Sequence, residues 1–253
     1  MSQYSFSDTL ANSIDNQAQP VERIVFGSFD SAQKGWWLVD RSAPTPNEKE
    51  VMETIPYSQG VLDFSTLDGD RYFDNREITY QFKNINNKYD DRKIIENEIK
   101  RMLMPLGTQA LFDSHEPGLH WLGKCKSVTV TDDANYQSLT ATVIFSCYPF
   151  AIGNNVEGSD IWDDVFFPNW VFQDTSFTVN GTQNINLINI GSHTGETKIV
   201  VTGTVSITGD FGSMTLTAGT YTDTQLTLAV GENKLILNGS GTINFEFYKE
   251  VMI

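Results

Sequence analysis

The chain has 253 residues, 40% of them hydrophobic and 12% aromatic, and 17 basic against 32 acidic side chains leave a net charge of −15. That apolar content excludes a disordered polypeptide, and no run approaches the ~20 apolar residues of a membrane-crossing helix. The acidic balance, with lysine and arginine nowhere clustered, excludes sequence-nonspecific nucleic-acid binding, because phosphate contacts need basic side chains gathered on one face.

The length suits two ordinary domains. The opening MSQYSFSDTL lacks the basic start and apolar run of a secretory signal, so synthesis and residence in the cytoplasm are expected. Cys125 and Cys147 are too few for a disulfide scaffold and are not spaced as a zinc or redox pair, which predicts two reduced, partly buried thiols.

In chain order, Trp36–Trp37 comes first, followed by RSAPTPNEKEVMETIPY at 41–57. Three prolines and five charges predict an exposed arm or loop there. REITYQFKN then places Ile78, Tyr80 and Phe82 on one face of a strand, with Glu77, Thr79 and Gln81 on the other. DDRKIIENEIKRMLMPLG carries Ile95, Ile99, Met102 and Leu103 at helical spacing, acids first and bases last. It predicts one helix, near 91–104, that stops before Pro105–Gly107 and packs on a sheet. Alternation at Leu139, Ala141, Val143, Phe145 and Cys147 marks another half-buried strand.

Near residue 150 the composition changes: residues 1–150 hold 14 basic and 21 acidic side chains, residues 151–253 only 3 and 11. AIGNNVEGSDIWDD, which has no periodicity, is the expected connection between a domain at 1–150 and one at 151–253. Beyond it, NINLINI, TKIVVTG, SMTLTA, QLTLAV, KLILNG and TINFEFY read as short strands separated by glycine, asparagine and aspartate turns, the pattern of an antiparallel sandwich.

The densest chemistry-bearing stretch is FDSHEPGLHW, with two of the three histidines. It is one residue too long for the helical H-E-x-x-H zinc pattern, and Pro117–Gly118 would break the helix. A hairpin turn is the simpler reading, although such a turn can still offer Asp113 and His115 to a metal. His193 has no ligand partner nearby in sequence and reads as surface. No nucleophile elbow or phosphate-cradling loop is present, so neither a catalytic constellation nor a cofactor is expected. Trp36–Trp37, Trp162 and Trp170 suit sugar stacking or burial at a core or subunit contact, and burial is the reading preferred.

Four stretches in this order resemble a known family. YSQGVLDFSTLDGDRYFDNREITYQF is similar to a conserved stretch that ends in a tyrosine–arginine strand, with Tyr57, Ser58, Gln59 and Gly60 replacing a commoner proline–glycine wording. LMPLG followed by LFDSHEPGLHWLGKCKSVTV resembles its helix end and hairpin, FSCYPF the close of its first domain, and VGENKLILNGSGTINFEFYKEVMI the end of its second. The family is that of the distal tail (Dit) proteins of long-tailed, noncontractile phages, in the short form of lactococcal baseplates.

The resemblance implies a mainly β protein, an N-terminal β domain with one α-helix plus a C-terminal galectin-like antiparallel β-sandwich. It implies a noncatalytic hub made in the bacterial host cytoplasm and placed at the virion tail tip. There a homohexameric ring would leave a channel for DNA and join the major tail or tail-terminal tube protein to the tail-associated hub or lysin protein. The second domain would dock the upper baseplate protein that carries receptor-binding proteins, with no specific nucleic-acid binding and no membrane insertion. On this reading Trp36, Trp37, Pro44, Pro46, Ile78, Tyr80 and Phe82 are the expected ring contacts, and Trp162 and Trp170 the expected partner contacts. A carbohydrate-binding module of a host-adhesion device is the alternative.

Overall fold

The computed structural model describes residues 22–66, 70–85, 88–133, 138–159, 170–222 and 224–253. The chain divides into two compact units, the first at 1–116 with 121–149 and the second at 117–120 with 150–253.

The first unit contains β1 (Ile24–Phe26), β2 (Phe29–Asp30), β3 (Trp37–Ser42), β4 (Met52–Glu53), β5 (Leu62–Asp63), β6 (Arg76–Ile85), α1 (Tyr89–Leu103) and β7 (Gln109–Asp113), with most of β8 (Leu119–Asp132) and β9 (Ser138–Gly153). Its main sheet runs β2-β1-β7-β8-β9-β6-β3, while β4 and β5 form a separate two-stranded ladder. Period-2 alternation builds the core: β6 pairs antiparallel with β9, setting Ile78 opposite Phe145, Tyr80 opposite Val143 and Phe82 opposite Ala141. All six are fully buried. Phe145 meets Phe26 and Tyr80 edge-on, at ring-centroid distances of 5.0 and 6.0 Å.

Helix α1 ends at Leu103, two residues before Pro105, and buries Ile99 and Leu103 while leaving Ile94 outside. Asp90 and Asp91 lie in its first turn and Lys100 and Arg101 in its last, each complementing the helix dipole. Glu96 holds both Lys93 and Lys100 along the exposed side.

The second unit contains β10 (Ser176–Asn189), β11 (Gly195–Glu196), β12 (Lys198–Gly209), β13 (Gly212–Tyr221), β14 (Thr227–Leu228), β15 (Gly231–Glu246) and β16 (Glu250–Val251). The strands β10-β15-β12-β13 form one sheet, β11 pairs with β14, and β16 pairs with the last residues of β9. The chain is mainly β with antiparallel sheets and a single helix among the described residues.

Strands here are longer than the glycine spacing predicts. TKIVVTG continues through Gly203 to Gly209, and KLILNG and TINFEFY are one strand interrupted by nothing. Gly181 stands opposite Gly239, and Gly203 opposite Gly241. All four have positive φ, a backbone region that favours glycine. They form a crease across three strands rather than turns, and inward-facing residues on both sides of it, Val179, Ile243 and Val201 on one and Leu187, Leu237 and Ile207 on the other, join one hydrophobic cluster.

Candidate assembly interface

Among the described residues, strand β3 is an edge of the first unit's sheet, paired on one side only, and the chain leaves the sheet from its end. Arg41, on β3, donates through Nε to Asp113 Oδ2 at 2.7 Å and through its terminal nitrogen to Glu116 at 2.7 Å. The Asp113 carboxylate is fully buried and also accepts from the Tyr80 hydroxyl at 2.8 Å and from the His115 backbone N–H at 3.0 Å. Burial, and then the neighbouring carboxylate, push the Tyr80 phenol well above its ordinary range, so it remains a donor. This network ties β3, β6 and the β7–β8 turn together.

Just past β3, the Ala43 carbonyl accepts from Arg76 at 2.7 Å. The Arg76 side chain is buried, lies over the Trp121 ring at 4.4 Å and also reaches the Pro149 carbonyl. Burial draws its pKa down, the cost of fixing a cation at the root of the projecting segment.

That segment folds back as an arm. Glu48 bridges to Phe73, Lys49 N–H donates to the Tyr72 carbonyl at 2.8 Å, and Asp74 N–H to the Asn47 carbonyl at 2.8 Å. Arg71 pairs with Glu48 and lies over the Phe73 ring, and its hydrogen bond holds the Glu48 carboxyl below its usual range. Further out, β4 pairs with β5, and Val51 N–H donates to Ser65 Oγ at 2.8 Å. The tip is apolar and open: Val51, Met52, Ile55, Val61, Leu62 and Phe64 are each between 40% and 54% exposed, and Tyr57 is fully exposed with φ +66°. Seven such side chains within fourteen residues form an apolar patch of the kind that marks an interaction surface.

The sequence-expected residues divide between these places. Ile78, Tyr80 and Phe82 lie inside the first unit's own core, and β6 is flanked by β9 and β3, so neither their side chains nor their strand edge is open to a neighbour. Trp36 is buried with them, whereas Trp37 is half-buried on β3. At the arm's root Pro44 is exposed and Pro46 buried. The sequence places an exposed arm at 41–57 but singles out only Pro44 and Pro46 in it; the open apolar residues at 51–64 are contacts it does not name, because the prolines and charges that mark the arm say nothing of which apolar side chains stay uncovered. In the second unit Trp170 is half-buried and meets Phe172 edge-on at 6.1 Å, with Phe172 74% exposed; Trp162 lies outside the described residues.

The decapeptide is the β7–β8 hairpin, with Gly118 at φ +79° in its turn. Its Asp113 is engaged by Arg41 and Tyr80, and among the described residues no group of three or more His, Cys, Asp or Glu is placed to hold a metal ion. His193 departs from the surface reading: its Nε2 is 2.6 Å from Glu250 Oε2 and its ring packs on Phe150 at 4.1 Å. Both cysteines are free and buried.

No protein-family model and no curated protein matches the chain. Solved structures do. The Dit protein of phage SPP1, a paradigm of the hub of the adsorption apparatus in phages infecting Gram-positive bacteria, is similar over 90% of this chain and 98% of its own, at 11% identity and a TM-score of 0.64. A chain of the phage P2 baseplate in its activated conformation with Ca is similar over 90% of this chain and 97% of its own, at 8% identity and a TM-score of 0.44. Across nine-tenths of its length, the chain has the fold of the SPP1 Dit protein.

Proposed function

We propose that the chain is a structural component of a phage tail tip: a hub subunit that closes with five copies of itself into a ring. On this reading the ring joins the tail tube to the hub or lysin protein, docks peripheral baseplate proteins through the second unit, and leaves a passage for DNA. The observation that carries it is the apolar arm, held at its root by Arg76 and exposed at its tip. A two-stranded ladder with an open apolar surface is marginal in water and gains stability when a neighbour covers it. In a ring each copy offers its arm to the next and receives another, a head-to-tail contact that ends only when rotation closes. The open edge of β3 and the half-buried Trp37 beside it are the natural receiving ground. The fold shared with SPP1 Dit is the second support.

Six copies together carry about −90, and an acidic lumen repels DNA phosphates within the roughly 8 Å that physiological salt leaves unscreened. A DNA conduit works best without affinity for DNA, so no retention on duplex DNA at about 0.15 M salt is expected.

Native mass in solution tests the reading. The expected species is six times 28.4 kDa, about 170 kDa. Deletion of residues 43–55 is expected to leave both units folded and to return the protomer. A protein that stays a protomer at every concentration, or a deletion variant that still forms the ring, overturns the proposal.

A further inference from the structure

The arm's ladder has two unlike faces. Strands β4 and β5 pair Met52 with Asp63 and Glu53 with Leu62; residues directly opposite share a face, and neighbours along a strand alternate. One face therefore carries Val51, Glu53, Leu62 and Phe64, all exposed, and the other Met52 and Asp63. The acids differ as well. Asp63 accepts from the Ser65 N–H at 2.9 Å and Glu48 is taken by Arg71, whereas Glu53 has no ion-pair partner among the described residues. The first face is thus a single uncommitted carboxylate set among three open apolar side chains.

The outer face beside the β3 edge has the complementary make-up. Pairing with β6 sets Trp37 opposite Lys83, and Ile85, two residues further along β6, lies on the same face. Trp37 is half-buried, and Ile85 and Lys83 are exposed. Lys126 on this sheet bridges to Glu77, but Lys83 has no ion-pair partner among the described residues. Asp40, the acid on β3, stands one row away, opposite Gln81. A bulge between Leu38 and Asp40 leaves Val39 open and breaks the β3 edge into two short runs, which suit a strand as short as β4 better than a long one.

The distances agree with an added strand. Strand β4 is bonded to β5 on one side, and among the described residues its other side is open. Joined to β3 by that side, it would stand two strands from β6, about 10 Å at about 4.8 Å per strand, with Trp37 between. The same sheet already closes such a gap with the same residue types: Lys126 on β8 reaches Glu77 on β6 across β9. Charge then selects the register, because a slip of one residue turns Glu53 to the opposite face and leaves Lys83 without an acid.

Resting on the ring reading above, we propose that β4 of one copy adds to β3 of the next with Glu53 paired to Lys83, the apolar ladder face lying on the side of Trp37 and Ile85. A pair this exposed contributes little affinity of its own. Its work is to fix the register and to refuse the wrong one, since like charges at that point repel.

The test reverses the two charges separately in the full-length protein and follows native mass. Glu53→Lys and Lys83→Glu both alter exposed side chains outside the core. Each alone is expected to raise the concentration needed for the sixfold species about tenfold. Net charge by itself predicts effects of opposite sign, because the first change makes the acidic copies less acidic and the second more so. An equal mixture of the two variants is expected to recover the ring, since in an alternating ring of six every arm meets a socket of opposite charge; the chain carrying both changes is expected to assemble as the unaltered protein does. Single variants that assemble unchanged, or a mixture that does not recover, overturn this proposal and leave the ring reading standing. Recovery in the doubly changed chain but not in the mixture places the pair within one copy and overturns it too. An unaltered protein with no sixfold species removes both.

Discussion

Removing the carboxylate of Asp113 should destabilise the first unit severely, and the size of the effect follows from its partners. Asp113→Ala leaves the Tyr80 hydroxyl without its acceptor, and Tyr80 is fully buried, a loss of about 1–3 kcal/mol. Arg41 loses its Nε acceptor but keeps Glu116, and its side chain is 20% exposed, so the cost is about 1–2 kcal/mol instead of the 3–5 of a fully buried pair. The His115 N–H, at the rim of the turn, adds about 0.5 kcal/mol. The total is about 3–5 kcal/mol. With a urea slope near 2 kcal/mol per molar, the midpoint falls by about 2 M.

Because the chain has two units, the transition is best followed by hydrogen exchange and mass spectrometry on peptides covering 76–85, which report the first unit alone. The double variant with Tyr80→Phe provides the decisive comparison. Deleting the stranded hydroxyl as well should recover about 1–2 kcal/mol, a coupling that independent sites do not show. A loss below about 1 kcal/mol for Asp113→Ala, or strict additivity in the double variant, would refute the network as the anchor of β3.

Gly241→Ala is expected to cost the second unit about 3 kcal/mol or more, because φ is +149° and the new Cβ would stand 1.8 Å from the Thr202 backbone oxygen. Gly181→Ala, with nothing within 4 Å, should cost only about 1 kcal/mol, and equal effects would dismiss the crease as a steric device. Burial pushes the Cys147 thiol up to about 12 and Cys125 up to about 11, so the thiolate fractions at pH 8 are roughly one in ten thousand and one in a thousand. Neither should react with Ellman's reagent until urea is added, and rapid labelling of the native protein would contradict their placement. Burial raises the Glu157 carboxyl above its ordinary 4.5, so its contribution to stability is present below that pH and lost as pH rises through the folded value. Thermal melts from pH 4 upward should therefore show the wild type losing ground to Glu157→Gln, and parallel curves would show that the carboxyl is not desolvated.

The sequence alone determined the elements that depend on neighbours a few residues away. The strand at 76–85 is visible in alternation because successive side chains point to opposite faces. The helix is visible in its three-and-four spacing and the proline that follows it, and the hairpin at 113–118 in its polar turn residues. What alternation reports is that one face is apolar, not what covers that face. Ile78, Tyr80 and Phe82 were therefore expected against a neighbour, and only the pairing of β6 between β9 and β3 places them inside. The prolines and charges of 41–57 predict an exposed arm, but only the fold pairs Met52 with Asp63 and Glu53 with Leu62 and leaves Met52 and Leu62 uncovered.

Glycine misled in the other direction. A positive φ serves a turn or a creased strand equally well, and the register of β10, β15 and β12 decides between them. The polar constellations were out of reach for a simpler reason: Arg41 meets Asp113 across 72 positions, His193 meets Glu250 across 57, and Glu157 lies beside Lys249 across more than ninety. Sequence spacing carries no distance over such separations. Only the closed backbone brings those charges together.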